Sequence, residues 1–285
     1  MRHVVVTGAS SGIGWGTTKT LTSKGWNVFG SVRKQGDAER LSEAFGESVT
    51  PLMFDVTDEA GARAAAETVR RHLKGETLAG LVNNAGIAIP GPILHQSLAD
   101  YRAQVEVNLI GAYITSQAFV PLLGADPSLN GRPGRVVNIT SLGGKIGAPL
   151  LSGYCSAKHG LEGLSECMRR ELMLYGIDVV IIGPGAVKTP IWGKAQSKDI
   201  PDFANTDYGP AMKTLSRLMD GGAREGLEVE RIGELIHRAL TTARPRTRYA
   251  VAPNIVRDWI FPTVLPKRWV DRVYAWRLEL GKCHS

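Results

Sequence analysis

Short apolar runs rich in Val and Ile alternate along the chain with longer amphipathic stretches, a rhythm that predicts buried parallel strands joined by helical crossovers. Six strands are expected, at His3 to Thr7, Asn27 to Val32, Thr50 to Phe54, Gly80 to Val82, Arg135 to Thr140 and Asp178 to Ile182. Between them, helices are expected over about Gly12 to Lys24, Asp37 to Phe45, Asp58 to Leu73, Leu98 to Leu123 and Gly153 to Tyr175. Parallel neighbours need right-handed crossovers, so this order specifies an α/β fold with a doubly wound parallel sheet flanked by helices. Asp58 stands where an N-cap is needed, and Gly25, Gly46 and Gly176 stand where three helices must turn left-handed to stop. After Pro190 the rhythm is lost. Residues 190–226 carry Pro201, Pro210 and Gly221-Gly222 and read as a loop-helix insertion that covers a substrate. No repeat or linker divides the chain, so residues 1–285 are expected to form one domain ending in a basic, Trp-containing tail over 253–285.

With 285 residues, 43% hydrophobic and 21% charged, the chain can bury a full core, which excludes disordered and fibrous classes. Cys155, Cys167 and Cys283 are too few and too scattered for a disulfide framework or a thiolate metal site, and the histidines show no paired spacing, so no metal is expected. Met1-Arg2-His3 leads straight into Val4, and no apolar run is long enough to span a bilayer. A cytoplasmic or peripheral location is therefore expected. The net charge of +7 sits mostly at one end: from Arg244 to Ser285, nine Lys/Arg face three acids, alongside half of the six tryptophans. Outside this tail no basic stripe with interleaved aromatics occurs, which argues against a nucleic-acid partner.

Thr7-Gly8-Ala9-Ser10-Ser11-Gly12-Ile13-Gly14 follows the first strand and opens the first helix. Backbone N–H groups and the helix dipole can cradle a pyrophosphate there, although the spacing alone also fits a tight turn. At the end of the second strand a dinucleotide enzyme selects its cofactor, by an acid for a ribose 2′-hydroxyl or an Arg for a 2′-phosphate. The strand ends in Arg33-Lys34 with no acid, which points to NADP(H), with NAD(H) as the alternative if these are merely solvated cations. Tyr154 and Lys158 are four residues apart and share a helix face, and Ser141 lies just past the fifth strand. Asn108 falls mid-helix, where its low propensity is otherwise unexplained, although by itself it reads as an ordinary surface residue.

In this order and spacing, the Thr7 to Gly14 turn, Asn83-Asn84-Ala85-Gly86, Asn108, Ser141, Tyr154-x3-Lys158 and Pro184-Gly185-x3-Thr189 resemble the short-chain dehydrogenase/reductase family over residues 1–192. Tyr154-Cys155-Ser156-Ala157-Lys158, Leu161-Glu162-Gly163-Leu164 and Thr189-Pro190-Ile191-Trp192 further resemble its 17β-hydroxysteroid and retinol dehydrogenase branch. The resemblance implies a Rossmann-type oxidoreductase in which Tyr154 is the general acid/base, Ser141 polarises the substrate oxygen, Lys158 holds the nicotinamide ribose and Asn108 positions a relay water. It further places Gly8, Ser10, Ser11, Gly12, Ile13 and Gly14 on the pyrophosphate, and Arg33 and Lys34 on the 2′-phosphate. Asp55 and Val56 fall on the adenine, Asn84, Ala85 and Gly86 beside the ribose, and Pro184, Gly185, Val187 and Thr189 on the nicotinamide. Dimers or tetramers built through residues 98–123 and 153–175 are implied as well. Gly183 departs from the family pattern, in which Asn or Glu precedes the Pro-Gly pair.

The expected reaction interconverts a secondary alcohol and a ketone. The apolar pocket candidates Leu142, Ile146, Leu150, Leu151, Ile191 and Trp192 suit a steroid, retinoid or other lipid-like substrate. Reduction of small carbonyls and a non-catalytic NADPH-binding regulator are the competing readings; turnover with a panel of long and short ketones separates all three. In the tail, a helix over Lys267 to Leu280 aligns Trp269, Val273, Trp276 and Leu280, flanked by Arg268, Arg272 and Arg277. Such a stripe serves either as a peripheral membrane contact through 266–280 or as a roof packed on the pocket.

Overall fold

The apolar runs do become strands, and their alternation decides which side of the sheet each residue covers. The computed structural model describes residues 2–190 and 203–281. Its strands are β1 (Arg2–Val6), β2 (Trp26–Val32), β3 (Val49–Met53), β4 (Gly80–Asn83), β5 (Arg135–Ile139), β6 (Asp178–Pro184) and β7 (Arg248–Val251). They form one seven-stranded sheet in the order β3-β2-β1-β4-β5-β6-β7, and every adjacent pair is parallel. Val4 and Val6 project into one core with Leu21, Ile182, Ile232 and Ile236. Val5, between them, projects into the opposite core with Phe29, Leu81, Phe119, Val136 and Val179.

The helices α1 (Gly12–Ser23), α2 (Gln35–Phe45), α3 (Glu59–Leu73) and α6 (Ser152–Glu171) fall where the periodicity predicts them. Gly25, Gly46 and Gly176 have φ of 76°, 55° and 68°, so these helices do stop on glycines in the left-handed half of the map. Asp58 occupies the N-cap position of α3 but makes no capping bond. Its carboxylate lies over Gly61 instead, where an added Cβ would come within 2.6 Å of Oδ2. The long helix expected from Leu98 to Leu123 is helical throughout but not uniform: a 3₁₀ turn over Val120–Leu123 ends it, and α4 (Leu98–Val105) and α5 (Gly111–Phe119) flank a π-helical turn, Glu106–Ile110, with Asn108 at its centre. Such turns widen a helix by one residue, and they recur at functional sites.

The expected loop-helix insertion does carry its helix, and a helix and a strand after it were not read from the sequence. Within the expected insertion, Gly209–Glu225 is a regular helix, α7; residues 191–202 lie outside the described residues. Helix α8 (Val229–Thr241) follows, and the spacing of Ile232, Ile236 and Leu240 was legible as an amphipathic stripe. Strand β7 is four residues long and only half-buried at an edge, so it carries no apolar run to betray it. Helix α8 packs tightly against α1. A Cβ at Gly16 would meet the Val229 side chain at 2.7 Å, and one at Gly233 would meet Thr20 Oγ1 at 2.4 Å. Gly233→Val should therefore force the two helices apart and destabilise the fold by about 1–3 kcal/mol, read as a lowered denaturation midpoint. An unchanged midpoint would show that the close approach is slack.

Candidate active site

All the loops that carry the sequence motifs leave the carboxyl edge of the sheet, where β1 and β4 diverge to opposite sides and leave a crevice. The turn after β1 is built on glycine. Gly8 and Gly12 have φ of 65° and 56°, and a Cβ at Gly14 would lie 2.1 Å from the Gly8 carbonyl oxygen. Ser11 caps α1 with no side-chain bond, and no acid sits in the first turn, so the helix end stays electropositive. Asn84 ties the turn to β4 by donating to the Thr7 and Gly8 carbonyls at 2.9 and 3.3 Å. Ala85 N–H donates to Thr7 Oγ1 at 3.0 Å. From the far side Thr189 reaches this turn: a Cβ at Gly12 would lie 3.2 Å from it. Residues 8–14, 84–86 and 189 thus line one groove whose floor admits only backbone, the shape a pyrophosphate needs.

Arg33 and Lys34 follow β2 directly and are exposed. Arg33 Nη1 lies 3.3 Å from Asp55 Oδ2. Burial raises the Asp55 pKa, but hydrogen bonds from Thr57 and Arg33 outweigh it and hold the carboxyl below its usual range. Val56 is buried, its side chain against the Gly111 position of the long helix, where a Cβ would meet it at 2.7 Å. Arg40, which sequence reasoning missed, donates to the Ser10 carbonyl and lies 5.4 Å over the Trp15 ring, so a third cation borders the groove. No spacing from a recognised motif marks it.

Tyr154, Ser141, Lys158 and Asn108 converge at the inner end of the crevice. Tyr154 shares a hydrogen bond with Ser141, whose Oγ accepts from Gly143 N–H at 3.0 Å. One turn along α6, Lys158 Nζ donates to the Ile139 carbonyl at 2.9 Å and lies 5.9 Å from the Tyr154 ring centre. A Cβ at Gly86 would be 2.7 Å from Asn108 Oδ1 and 3.6 Å from Lys158 Nζ, so both groups border that point. The Asn108 amide donates to the Ile87 and Gln104 carbonyls at 2.9 and 2.8 Å, and its Oδ1 accepts from Ile87 N–H at 3.1 Å. Gln104, also missed from the sequence, clamps the same segment by accepting from Ile89 N–H at 2.9 Å. Burial pushes the Tyr154 phenol up to about 12 and the Lys158 ammonium down to about 8. In the protein alone, burial thus penalises the charged form of both groups.

A family model described as short chain dehydrogenase matches residues 2–200. The chain belongs to the short-chain dehydrogenase family. It is an oxidoreductase that interconverts alcohol and carbonyl groups. Among its relatives is the NADPH-dependent 3-dehydrocapnine reductase of Ornithobacterium rhinotracheale, 38% identical over 96% of both chains. Human retinol dehydrogenase 5 is 32% identical over 96% of this chain and 88% of its own. The mouse mitochondrial D-beta-hydroxybutyrate dehydrogenase is 33% identical over 87% and 76%. A short-chain dehydrogenase crystal structure from Streptomyces avermitilis matches with a TM-score of 0.76 at 25% identity, covering 99% of this chain and 98% of that one.

This dehydrogenase braces its candidate site with a residue that no motif marks. Arg248 of β7 donates to both Glu162 carboxylate oxygens at 3.0 and 3.1 Å and to the Ser141 carbonyl at 3.4 Å. Its guanidinium fills the space left by Gly183, where a Cβ would meet Nη2 at 2.5 Å. The departure from the family pattern at Gly183 is thus what admits Arg248. Glu162 continues the Tyr154, Lys158 spacing by four, which was the available signal, and it also accepts from Thr140 Oγ1 at 2.7 Å. Of the pocket candidates, Leu142, Ile146, Leu150 and Leu151 are buried around the site, while Ile191 and Trp192 lie outside the described residues. Leu150 holds φ at 67°, a strained conformation for a side-chain-bearing residue. Among the described residues no cluster suits a metal. Arg248→Met should leave the buried Glu162 carboxylate with only Lys145, 3.7 Å from its Oε2, as a cationic partner, and destabilise the enzyme by about 3–5 kcal/mol, with much of the loss recovered by adding Glu162→Leu, in urea unfolding. Equal stability of Arg248→Met and the parent would remove the pair from this role.

Proposed function

We propose that the enzyme is an NADP(H)-dependent reductase and dehydrogenase of a hydrophobic, lipid-like ketone and its secondary alcohol. The observation that carries this reading is the buried Tyr154 phenol, hydrogen-bonded to half-buried Ser141 at the inner end of a groove whose other end is bounded by a glycine turn and three arginine or lysine side chains. When bound, the nicotinamide supplies or accepts the hydride, and its oxidised ring adds positive charge beside the phenol. In reduction, Tyr154 Oη gives its proton to the substrate oxygen while the Ser141 hydroxyl donates a hydrogen bond to that oxygen. In oxidation the same groups run in reverse. Lys158 holds the ribose hydroxyls and returns a proton toward Tyr154, and a water positioned near Asn108 Oδ1 relays protons to Lys158. Arg33 and Lys34 take the 2′-phosphate, Arg33 by exchanging its partner Asp55 for a doubly charged anion.

The relatives named for 3-dehydrocapnine and retinol, and the NADPH in the first name, support both the cofactor and the substrate class. Residues 190–226 cover the substrate in this reading, the 98–123 and 153–175 helices build a dimer or tetramer, and 266–280 gives the enzyme a peripheral hold on the membrane. Among the described residues no helix is long and apolar enough to cross one.

Following NADPH absorbance with long-chain ketones, steroids, retinoids and small aldehydes tests the assignment, and faster turnover of the short carbonyls would replace it with the small-carbonyl reading. Tyr154→Phe should lower kcat by about 10²- to 10⁴-fold while NADPH binding, followed by fluorescence, stays intact. Activity within about tenfold of the parent would sink the acid/base role. Arg33→Ala should erase about tenfold to a hundredfold of preference for NADP(H) over NAD(H). A mutant that keeps the preference overturns the role of Arg33.

The raised phenol also sets the sign of the pH response. Reduction uses the protonated phenol, which burial favours, so its rate should hold across neutral pH and fall only under alkaline conditions. Oxidation uses the phenolate, so its rate should climb as pH rises. Pre-steady-state traces of both directions against pH check this, and an oxidation rate flat in pH would exclude Tyr154 as the base.

A further inference from the structure

The C-terminal helix α9 (Lys267–Arg277) has two apolar faces, and the molecule uses one of them. On the inner side, Tyr274 and Leu278 pack with Leu150, Ala211, Leu215 and Met219. There Tyr274, Ala275 and Leu280 also wall a cavity of about 420 Å³ that reaches Ser152 and Cys155, next to the Tyr154 phenol in sequence. Leu280 thus leaves the stripe expected from the sequence, because the helix ends at Arg277 and the chain turns back onto Ala275, whose carbonyl accepts from Leu280 N–H at 2.9 Å.

Trp269, Val273 and Trp276 share the opposite face at spacings of four and three. They are 60%, 54% and 83% exposed. Just upstream, Phe261 and Val264 are 54% and 77% exposed as well. Trp259, by contrast, is held under the Arg248 guanidinium at 4.2 Å, so the tail does not leave its aromatics outside indiscriminately. An indole buries about 150–250 Å² when it packs, and two on one short helix forgo that burial among the described residues. Exposed cations border the stripe: Arg268 and Arg272 on one side and Arg277 on the other, with Arg257 and Lys267 nearby. The acids do not neutralise them evenly. Asp258 is engaged by Arg257 at 2.6 Å, and Asp271 lies 3.8 Å from Arg268.

We infer that the Trp269, Val273 and Trp276 face of α9 docks the enzyme on an anionic lipid bilayer. The indoles enter the headgroup layer, where an amphipathic ring is favoured, and Arg268, Arg272 and Arg277 meet the lipid phosphates. A second copy of this chain fits the face poorly, since a two-fold contact would set Arg268 and Arg272 against their own counterparts. Docking resolves the choice between membrane contact and roof, because the helix does both on opposite sides. For a lipid-like substrate, α9 joins the bilayer to the cavity that reaches Ser152 and Cys155 on α6. That last step rests on the substrate class proposed above, and docking itself does not.

The test uses the full chain and phosphatidylcholine vesicles with and without phosphatidylglycerol, at low and high salt, and requires no turnover. Sedimentation should occur with the phosphatidylglycerol vesicles, weaken as salt rises, and shift tryptophan emission to the blue. Trp269→Ser with Trp276→Ser, and separately Arg268→Glu with Arg272→Glu, should each lower the bound fraction at least about tenfold while the thermal midpoint stays put. Absence of sedimentation with either vesicle overturns the inference, as does undiminished binding of the tryptophan variant. Self-association that the tryptophan variant abolishes, without vesicle binding, would assign the face to a second copy and overturn it too. None of these outcomes bears on ketone reduction, which is measured in separate assays without lipid.

Discussion

A single buried carboxylate gathers the parts of this enzyme that chemistry requires to stay in register. Glu162 on α6 is held by Arg248 from β7 and by Thr140 from the end of β5. Through α6 it fixes the helix that bears Tyr154 and Lys158, through Arg248 it touches the Ser141 carbonyl, and through the stack on Trp259 it reaches the tail. Removing a charge of this kind from water is costly, and only several well-placed donors offset the cost. Arg248 Nε, Thr140 Oγ1 and the Lys145 ammonium together do so, and the Arg248 guanidinium fits because position 183 carries no side chain.

The electrostatics at the inner end of the crevice follow from the same dryness. Burial that excludes water also penalises both the phenolate of Tyr154 and the ammonium of Lys158, and at Tyr154 the Ser141 hydrogen bond offsets only part of that cost. In the protein alone the resting form is therefore a neutral phenol, the form a ketone reductase needs, and an alcohol dehydrogenase of the same design has to import positive charge. Asn108 contributes in a different way. The π-helical turn around it opens the long helix enough for its amide to grip Ile87 and Gln104, which keeps its Oδ1 aimed at the Lys158 ammonium's side of the crevice.

The tail extends this organisation outward. One side of α9 is committed to Leu150 and α7 and walls the cavity next to α6, and the other keeps two indoles in solvent between arginines. Such a helix is amphipathic twice over, so the usual inference from an apolar stripe to a buried one does not apply to it.

By itself the sequence determined the strands β1 to β6, the glycine stops and the Thr7 to Gly14 turn, because each rests on local spacing or on conformations open to few residue types, whereas Asn108, Ser141, Tyr154 and Lys158 stood out as a set only through the family resemblance. Trp269, Val273 and Trp276 were likewise legible as a stripe. Which way that stripe faces was not, since Tyr274 and Leu278 compete for the core from the same short helix and only the packing partners choose between them. Strand β7, the Arg248 to Glu162 pair and the Arg40 contact to Ser10 were decided by tertiary structure alone. Arg248 and Glu162 lie 86 residues apart and Arg40 and Ser10 lie 30 apart, and groups that meet only after the sheet has closed leave no periodicity in the chain. The same holds for Asp58, whose capping signal was sound locally but whose carboxylate found room over Gly61 instead.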